Sequence, residues 1–396
     1  MNYILFDDSN RENLLPFTFI RPIADIRVGI FTIKEKWEYY LKSKISYLAE
    51  EYLSDKYPMI KAKDNILIAG SICPNQALVE AIKKLKPGET LISDDTMIAS
   101  YVSEDELDGI ESADEAAQVE VVATMPFNRL NNTWDIFLLN DVELRADFEI
   151  LTKGKKSATL SNSNVIIGDN IFVEEGVVAE GATFNSKSGP IYLGKNSEIM
   201  EGSNIRGPFA ICESAQVKMG AKIYGATTIG PFSKVGGELN NVVVFGYSNK
   251  AHDGFFGNSV IGEWCNIGAD SNTSNLKNTY DDVRLWNYPS QTFINTGQQF
   301  CGTIMGDHVK CGINTMFNTG TVIGCGANIF GAGYQRNFIA SFSWGGPNGM
   351  STYKIEKAIA VAKRIFERRE LNFTDTDKDI LNSVYELTHN NRKLHF

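Results

Sequence analysis

The chain has 396 residues, enough for two or three domains with cores of their own. Lys and Arg number 38 against 48 Asp and Glu, and the net charge of -10 argues against nonspecific binding to nucleic acid or an anionic membrane. Any phosphate must therefore be met by local basic residues. The six cysteines (Cys73, Cys212, Cys265, Cys301, Cys311 and Cys325) form no Cys-x-x-Cys pair and read as small buried residues of a reducing compartment.

The opening MNYILFDDSN lacks a basic start and an extended apolar core, and no apolar run elsewhere approaches the roughly 20 residues of a membrane span. The expected location is cytoplasmic. Tyr3–Phe6 predicts a strand running into the polar loop Asp7, Asp8, Ser9 and Asn10. Ile33–Leu41 and Ile45–Leu53 have helical spacing, Asn65–Ala69 is strand-like, and Gln76–Leu85 predicts a helix closed by Lys86, Pro87 and Gly88. Alternating signals of this kind predict an α/β layer with a parallel or mixed sheet. The acidic stretch Ser103–Glu115 reads as a surface connection, and Trp134–Leu151 as a helix ending before Lys153. The expected domains are 1–155, 156–340 and a helical tail, 341–396.

In the middle of the chain the spacing changes. Leu193, Ile199, Ile205, Ile211, Val217, Ile223, Ile229 and Val235 recur every sixth residue, and four positions after each stand Ser197, Ser203, Phe209, Ala215, Ala221, Thr227, Ser233 and Leu239. A period of six fits neither an amphipathic helix nor an alternating strand. It fits a coil with three short faces, each turning one aliphatic residue inward. Ile167, Val173 and Ala179 start the spacing, and Met305, Cys311, Phe317, Ile323 and Ile329 resume it after a polar excursion at roughly 272–298. An excursion of that length is either functional or disordered. Lys354–Glu370 and Asp377–Leu387 predict two closing helices that cap or flank the coil.

The register slips after Val235, and His252 lies in the slip. A neutral imidazole can take a proton from an attacking amine when a carboxylate or carbonyl holds its other nitrogen, and Glu238 is the nearest preceding acid at a plausible coil spacing. Spacing alone leaves open a surface histidine in a turn. Zinc catalysis is disfavoured, since it needs about three protein ligands. The coil offers only His252 and His308, with His389 and His395 in the tail.

The repeat resembles the left-handed parallel β-helix of the hexapeptide acyltransferases. From Glu238 to Ala332, SNKAHDGFFGNSVIGEWCNIGAD, SNLKN, FCGTIMGDHVKCGINTMFNTGTVIG and GANIFGAG resemble the acetyltransferase domain of the bifunctional glucosamine-1-phosphate N-acetyltransferase / N-acetylglucosamine-1-phosphate uridyltransferase family, here with a shortened first domain. The resemblance implies acetyl-CoA as cosubstrate, a sugar phosphate and UTP or another NTP as partners, and a homotrimer. His252 falls at the catalytic base, Glu238 at the acid holding it, and Asn266, Ala269 and Asn275 at acceptor- and donor-binding positions. Two positions depart from the family: its tyrosine is Phe255 and its lysine is Asn240, with Arg284, Lys277 or Lys222 as substitute cations.

At the amino end, FDDSNRENLLPFTFIRP echoes the second half of a nucleotidyltransferase signature but lacks its glycines. Arg11, Arg21 and Arg27 are the candidate phosphate ligands, or else partners of Asp7, Asp8 and Asp25. Mg²⁺ would reconcile the acids with a triphosphate, with Asp94, Asp95 and Asp141 as later acids. The product implied is UDP-N-acetylglucosamine or a related nucleotide sugar. The alternative is a non-catalytic scaffold on a trimeric coil that binds nucleotide sugars or partner proteins.

Overall fold

A computed structural model describes residues 1–94, 96–109 and 119–393. The chain forms two compact units, one of Met1–Leu14, Thr18–Ile26 and Phe31–Asn132, the other of Leu15–Phe17, Arg27–Ile30 and Thr133–Phe396.

The first unit is built on β1 (Asn2–Phe6), whose apolar run is buried on both faces and so takes parallel partners on both sides. Helix α1 (Ile33–Leu41) opens with a Thr32–Glu35 capping box, worth about 1 kcal/mol, and buries Ile33, Trp37 and Leu41. The Trp37 indole donates to the Ile72 carbonyl at 2.8 Å. Next come β2 (Ile45–Leu48), β3 (Asp64–Ala69), β4 (Ile72–Cys73), α2 (Gln76–Ile82), β5 (Glu89–Ser93), β6 (Thr96–Ser103), α3 (Glu104–Gly109) and β7 (Val119–Val122). The main sheet has the order β2-β1-β3-β6-β5-β7 and is mixed, with β6 antiparallel to both its neighbours. The helix expected over Ile45–Leu53 is instead strand β2 and a short 3-10 turn, Glu51–Leu53. Ile45 and Tyr47 suit a pleated surface, and pairing with β1 overrides the helical spacing. Residues 110–115 of the acidic connection and Asp95 lie outside the described residues.

In the second unit, pairing joins residues eighteen apart, Ile191 with Phe209 and Phe209 with Thr227, so three hexapeptides make one turn of a parallel β-helix. All eight aliphatic residues from Leu193 to Val235 are buried in one core with Met305, Cys311, Phe317, Ile323 and Ile329. The residues four places on, Ser197 to Leu239, are buried beside them. Six of the eight are Ser, Ala or Thr, which fit easily next to an inward aliphatic, while Phe209 and Leu239 are larger and also buried. All six cysteines are free and buried.

Helix α4 (Asp135–Thr152) belongs to this unit, where Leu144 and Phe148 pack with Ile30, Phe172, Tyr192 and Ala210 on the outside of the coil. Its Asn140 accepts from the Gly29 amide at 2.8 Å and donates to the Ala226 carbonyl at 2.8 Å. The 272–298 excursion is folded, with an antiparallel hairpin pairing Arg284–Asn287 and Thr292–Asn295 over buried Val283 and Leu285. Helices α5 (Ile355–Arg368) and α6 (Asp375–Leu387) pack on the coil through Phe366 against Trp264 and Tyr385 against Phe342. Phe366 of α5 extends an aromatic column, stacking at 4.2 Å on Trp264, which stacks at 4.3 Å on Tyr247. Each such pair is worth about 1 kcal/mol beyond its buried area.

Candidate active site

The register slip that carries His252 comes from two shortened turns. Lys234 pairs with Asn249, fifteen residues on, and Glu238 with Phe255, seventeen on. Shortening pushes the corner between strands Asn249–Lys250 and Phe255–Ile261 to the surface, and His252 and Asp253 are exposed there. Lys250 holds that corner. It pairs with Val235, so it occupies an inward slot of the coil and is only 2% exposed. Its ammonium donates to the carbonyls of His252 and of Asp253, the latter at 3.1 Å. Burial lowers its pKa to about 8. Sequence reasoning passed over Lys250, because the six-residue spacing counted from Val235 does not reach it and its inward place shows only in the pairing with Val235.

Ala269 stands at the same corner one coil on, where the Asp270 amide donates to the Asp253 carbonyl at 3.1 Å. Its small side chain leaves room beside the exposed corner. Asn266 is exposed on the strand beyond Asn249. Asn275 donates to Asn258 Oδ1 at 2.8 Å. Glu238 lies on the outward face one coil from the His252 turn, and its carboxylate accepts from the Tyr224 hydroxyl at 2.6 Å, a bond that raises the phenol pKa to about 12. Among the described residues the His252 ring makes no hydrogen bond, so within one chain the Glu238 carboxylate holds Tyr224 and not His252.

The excursion and the next coils enclose a cleft of about 620 Å³ lined by Lys277, Arg284 and Tyr334. Lys277 donates to the Asp282 carbonyl at 2.6 Å and Arg284 to the Phe293 carbonyl at 2.5 Å. Each cation keeps N–H groups for a ligand. Lys222 lies on the coil next to Glu238 in register and lines a groove of about 440 Å³ with Arg206 and Tyr224.

Of the three arginines, Arg11 and Arg21 belong to the first unit and Arg27 to the second. Arg11 pairs with Asp7 at 3.2 Å and Glu50 at 3.6 Å and donates to the Thr18 carbonyl. Arg21 is buried, while Arg27 belongs to the second unit and donates to the carbonyls of Phe245 and Ile30. Asp7 accepts from the Ile23 amide at 2.7 Å, and Asp8 from the amides of Asn10 and Ser71, both at 3.0 Å. Arg129 adds a contact to Asp8 at 3.4 Å and hydrogen bonds to Ser71 and Thr96, another residue the sequence reading missed. Burial pushes the Asp7 carboxyl up to about 7, opposed by the Ile23 amide and Arg11. These carboxylates thus occupy backbone N–H groups of the kind a phosphate uses. Mg²⁺ is typically held by one or two carboxylates together with substrate phosphates. Asp7 and Asp8 are already engaged, Asp94 is exposed on a turn, and Asp141 lies in the second unit paired with Arg145. Among the described residues no cluster of three or more His, Cys, Asp or Glu side chains suits a metal.

Residues 3–156 match the family described as sugar nucleotidyl transferase. The bifunctional protein GlmU of Methanocaldococcus jannaschii is 26% identical over 266 residues, covering 66% of this chain and 55% of that protein. GlmU of Corynebacterium glutamicum is 30% identical over 181 residues, covering 43% of this chain and 33% of that protein. The chain thus spans about half or less of the length of the curated relatives it matches. Among solved structures, a UDP-N-acetylglucosamine acyltransferase from Campylobacter jejuni is 12% identical, with a TM-score of 0.37, covering 57% of this chain and 95% of that one. No described helix is long and apolar enough to cross a membrane. Residues 3–156 thus match the sugar nucleotidyl transferase family, and the chain is similar to bifunctional GlmU proteins at 26–30% identity over part of its length.

Proposed function

We propose that the chain is a cytoplasmic, homotrimeric transferase of sugar-nucleotide synthesis. The coil acetylates an amino-sugar 1-phosphate from acetyl-CoA, and the first unit couples the product to UTP or another NTP, giving UDP-N-acetylglucosamine or a close relative. One conjunction carries this reading: a sugar nucleotidyl transferase match over residues 3–156, followed by a hexapeptide coil that exposes His252 at a shortened corner.

In the transfer step the acceptor amine attacks the thioester carbonyl, and His252 takes the amine's proton as the C–N bond forms. The C–S bond then breaks, and the proton passes to the departing thiolate. Glu238 stabilises the transient imidazolium. Asn266, Ala269 and Asn275 hold acceptor and donor, and Lys277, Arg284 or Lys222 meets the phosphate that the family's lysine, here Asn240, would have met. Lys250 fixes the backbone that aims the ring.

A second reading applies to the first unit alone. Asp7 and Asp8 hold amides that a triphosphate needs, which favours a first unit that binds without catalysing. Mass-spectrometric product analysis with acetyl-CoA, UTP and glucosamine 1-phosphate separates the two. Both N-acetylglucosamine 1-phosphate and the nucleotide sugar are expected; the acetylated sugar alone supports the second reading, and neither product from any amino-sugar phosphate refutes both.

A further inference from the structure

In the first unit the loop after β1 and the turn after β3 meet around one carboxylate. Gly70 makes the approach possible: its amide donates to the Phe6 carbonyl at 2.8 Å, and a Cβ there would come within 2.8 Å of the same oxygen. The Ser71 amide then reaches Asp8 Oδ2 at 3.0 Å, across 63 residues of chain. Asp8 Oδ1 accepts from the Asn10 amide at 3.0 Å and from the Arg129 guanidinium at 3.4 Å, the latter 121 residues away. Arg129 is fixed in its turn, donating to Ser71 Oγ at 3.0 Å and to Thr96 Oγ1 at 3.1 Å.

A carboxylate that only shapes its own turn is satisfied by the amide two residues on, here that of Asn10. The Ser71 amide and Arg129 are in excess of that need, and both come from distant segments. Converging backbone amides beside a planar cation are the donor set that a phosphoryl group takes. Asp8 itself is buried. Its carboxylate therefore supplies, from within the chain, the negative charge that these donors would otherwise draw from a ligand.

We propose that the Asn10 and Ser71 amides and Arg129 form a phosphoryl-binding site occupied by the chain's own Asp8, so that a phosphate enters by displacing that carboxylate. The contact is autoinhibitory. It makes Arg129 the phosphate ligand of the first unit, since Arg11 is spent on Asp7 and Glu50. The inference rests on the reading of the first unit as a binder of phosphorylated ligands, and not on its turnover.

The test is calorimetry on the full chain with inorganic phosphate, pyrophosphate, UTP and N-acetylglucosamine 1-phosphate, at constant ionic strength. Asp8→Ala should bind at least one of them about tenfold or more tighter than wild type, and adding Arg129→Gln should remove the gain. Tightening of UTP and pyrophosphate assigns the site to the nucleotide, and tightening of the sugar phosphate alone assigns it to the sugar. Glu12→Gln removes the same charge from an exposed position nearby and should gain nothing. Where Asp8→Ala is destabilised, unfolding is followed instead: phosphate should raise its midpoint more than that of wild type, against chloride at equal ionic strength. The assignment is overturned if folded Asp8→Ala binds every phosphate no better than wild type, if the double variant keeps the gain, if Glu12→Gln gains as much, or if phosphate stabilises a weakened Asp8→Ala no more than wild type. Binding is read without turnover, so failure here and failure of nucleotidyl transfer in the product analysis are separate results.

Discussion

Replacing Lys250 with Met should leave the coil as stable as wild type or more so at pH 7, while impairing acetyl transfer. The buried ammonium has a pKa of about 8 instead of 10.5. At ~1.4 kcal/mol per tenfold in protonation, keeping it charged at pH 7 costs up to about 3 kcal/mol. Against this stand its bonds to the His252 and Asp253 carbonyls. Both residues are exposed, so water can take over, and the loss is about 1 kcal/mol per bond. The net expectation for Lys250→Met at pH 7 runs from no change to about 2 kcal/mol of added stability. The pH dependence supplies the sign. Between about 8 and roughly 10.4 the unfolded lysine keeps its proton while the folded one has released it, so the unfolded state binds more protons and wild-type stability rises with pH. Any advantage of the variant should therefore shrink by pH 10. Urea unfolding followed by tryptophan fluorescence at pH 7 and pH 10 reads both. A variant at least about 2 kcal/mol less stable at pH 7, with the same gap at pH 10, would refute the reasoning.

Other consequences can be measured alongside. Ile211→Asp buries an unpaired charge in the coil core and should abolish cooperative folding of the second unit, read by circular dichroism. Trp264→Ala breaks the column from Tyr247 to Phe366 and should cost about 3–5 kcal/mol, with faster hydrogen exchange in α5. Asp7, raised to about 7 by burial, weakens the first unit as pH rises from about 4 through 7, because the unfolded carboxyl ionises first. Asp7→Asn should remove that slope in unfolding measured at pH 5 and pH 8. Light scattering should report a trimer at micromolar concentration, and a monomer would count against the assembly.

The coil was legible from Leu193 to Val235 because one geometric demand, an inward aliphatic beside a small residue, repeats every sixth position. The slip at His252 was visible as a break in that spacing, but the cause was not, since Lys250 fills a slot that Val235 and Ile267 fill on neighbouring coils. In the first unit, β1 and α1 were legible from an apolar run and from helical spacing, whereas Ile45–Leu48, which shares that spacing, became a strand only through its pairing with β1. The association of α4 with the coil rests on Asn140 bonds to Gly29 and Ala226, contacts too distant along the chain for local pattern to reveal. The engagement of Asp7 and Asp8 by backbone amides was hidden for the same reason.

The proposed function turns on His252. Its most direct test is acetyl transfer from acetyl-CoA to glucosamine 1-phosphate by wild type, His252→Ala and Glu238→Gln, at matched circular dichroism and trimer content. A positioned general base predicts a loss of roughly 100-fold to 10,000-fold at 252, a smaller loss at 238, and unchanged nucleotidyl transfer in both. Full acetyl transfer by His252→Ala would contradict the account.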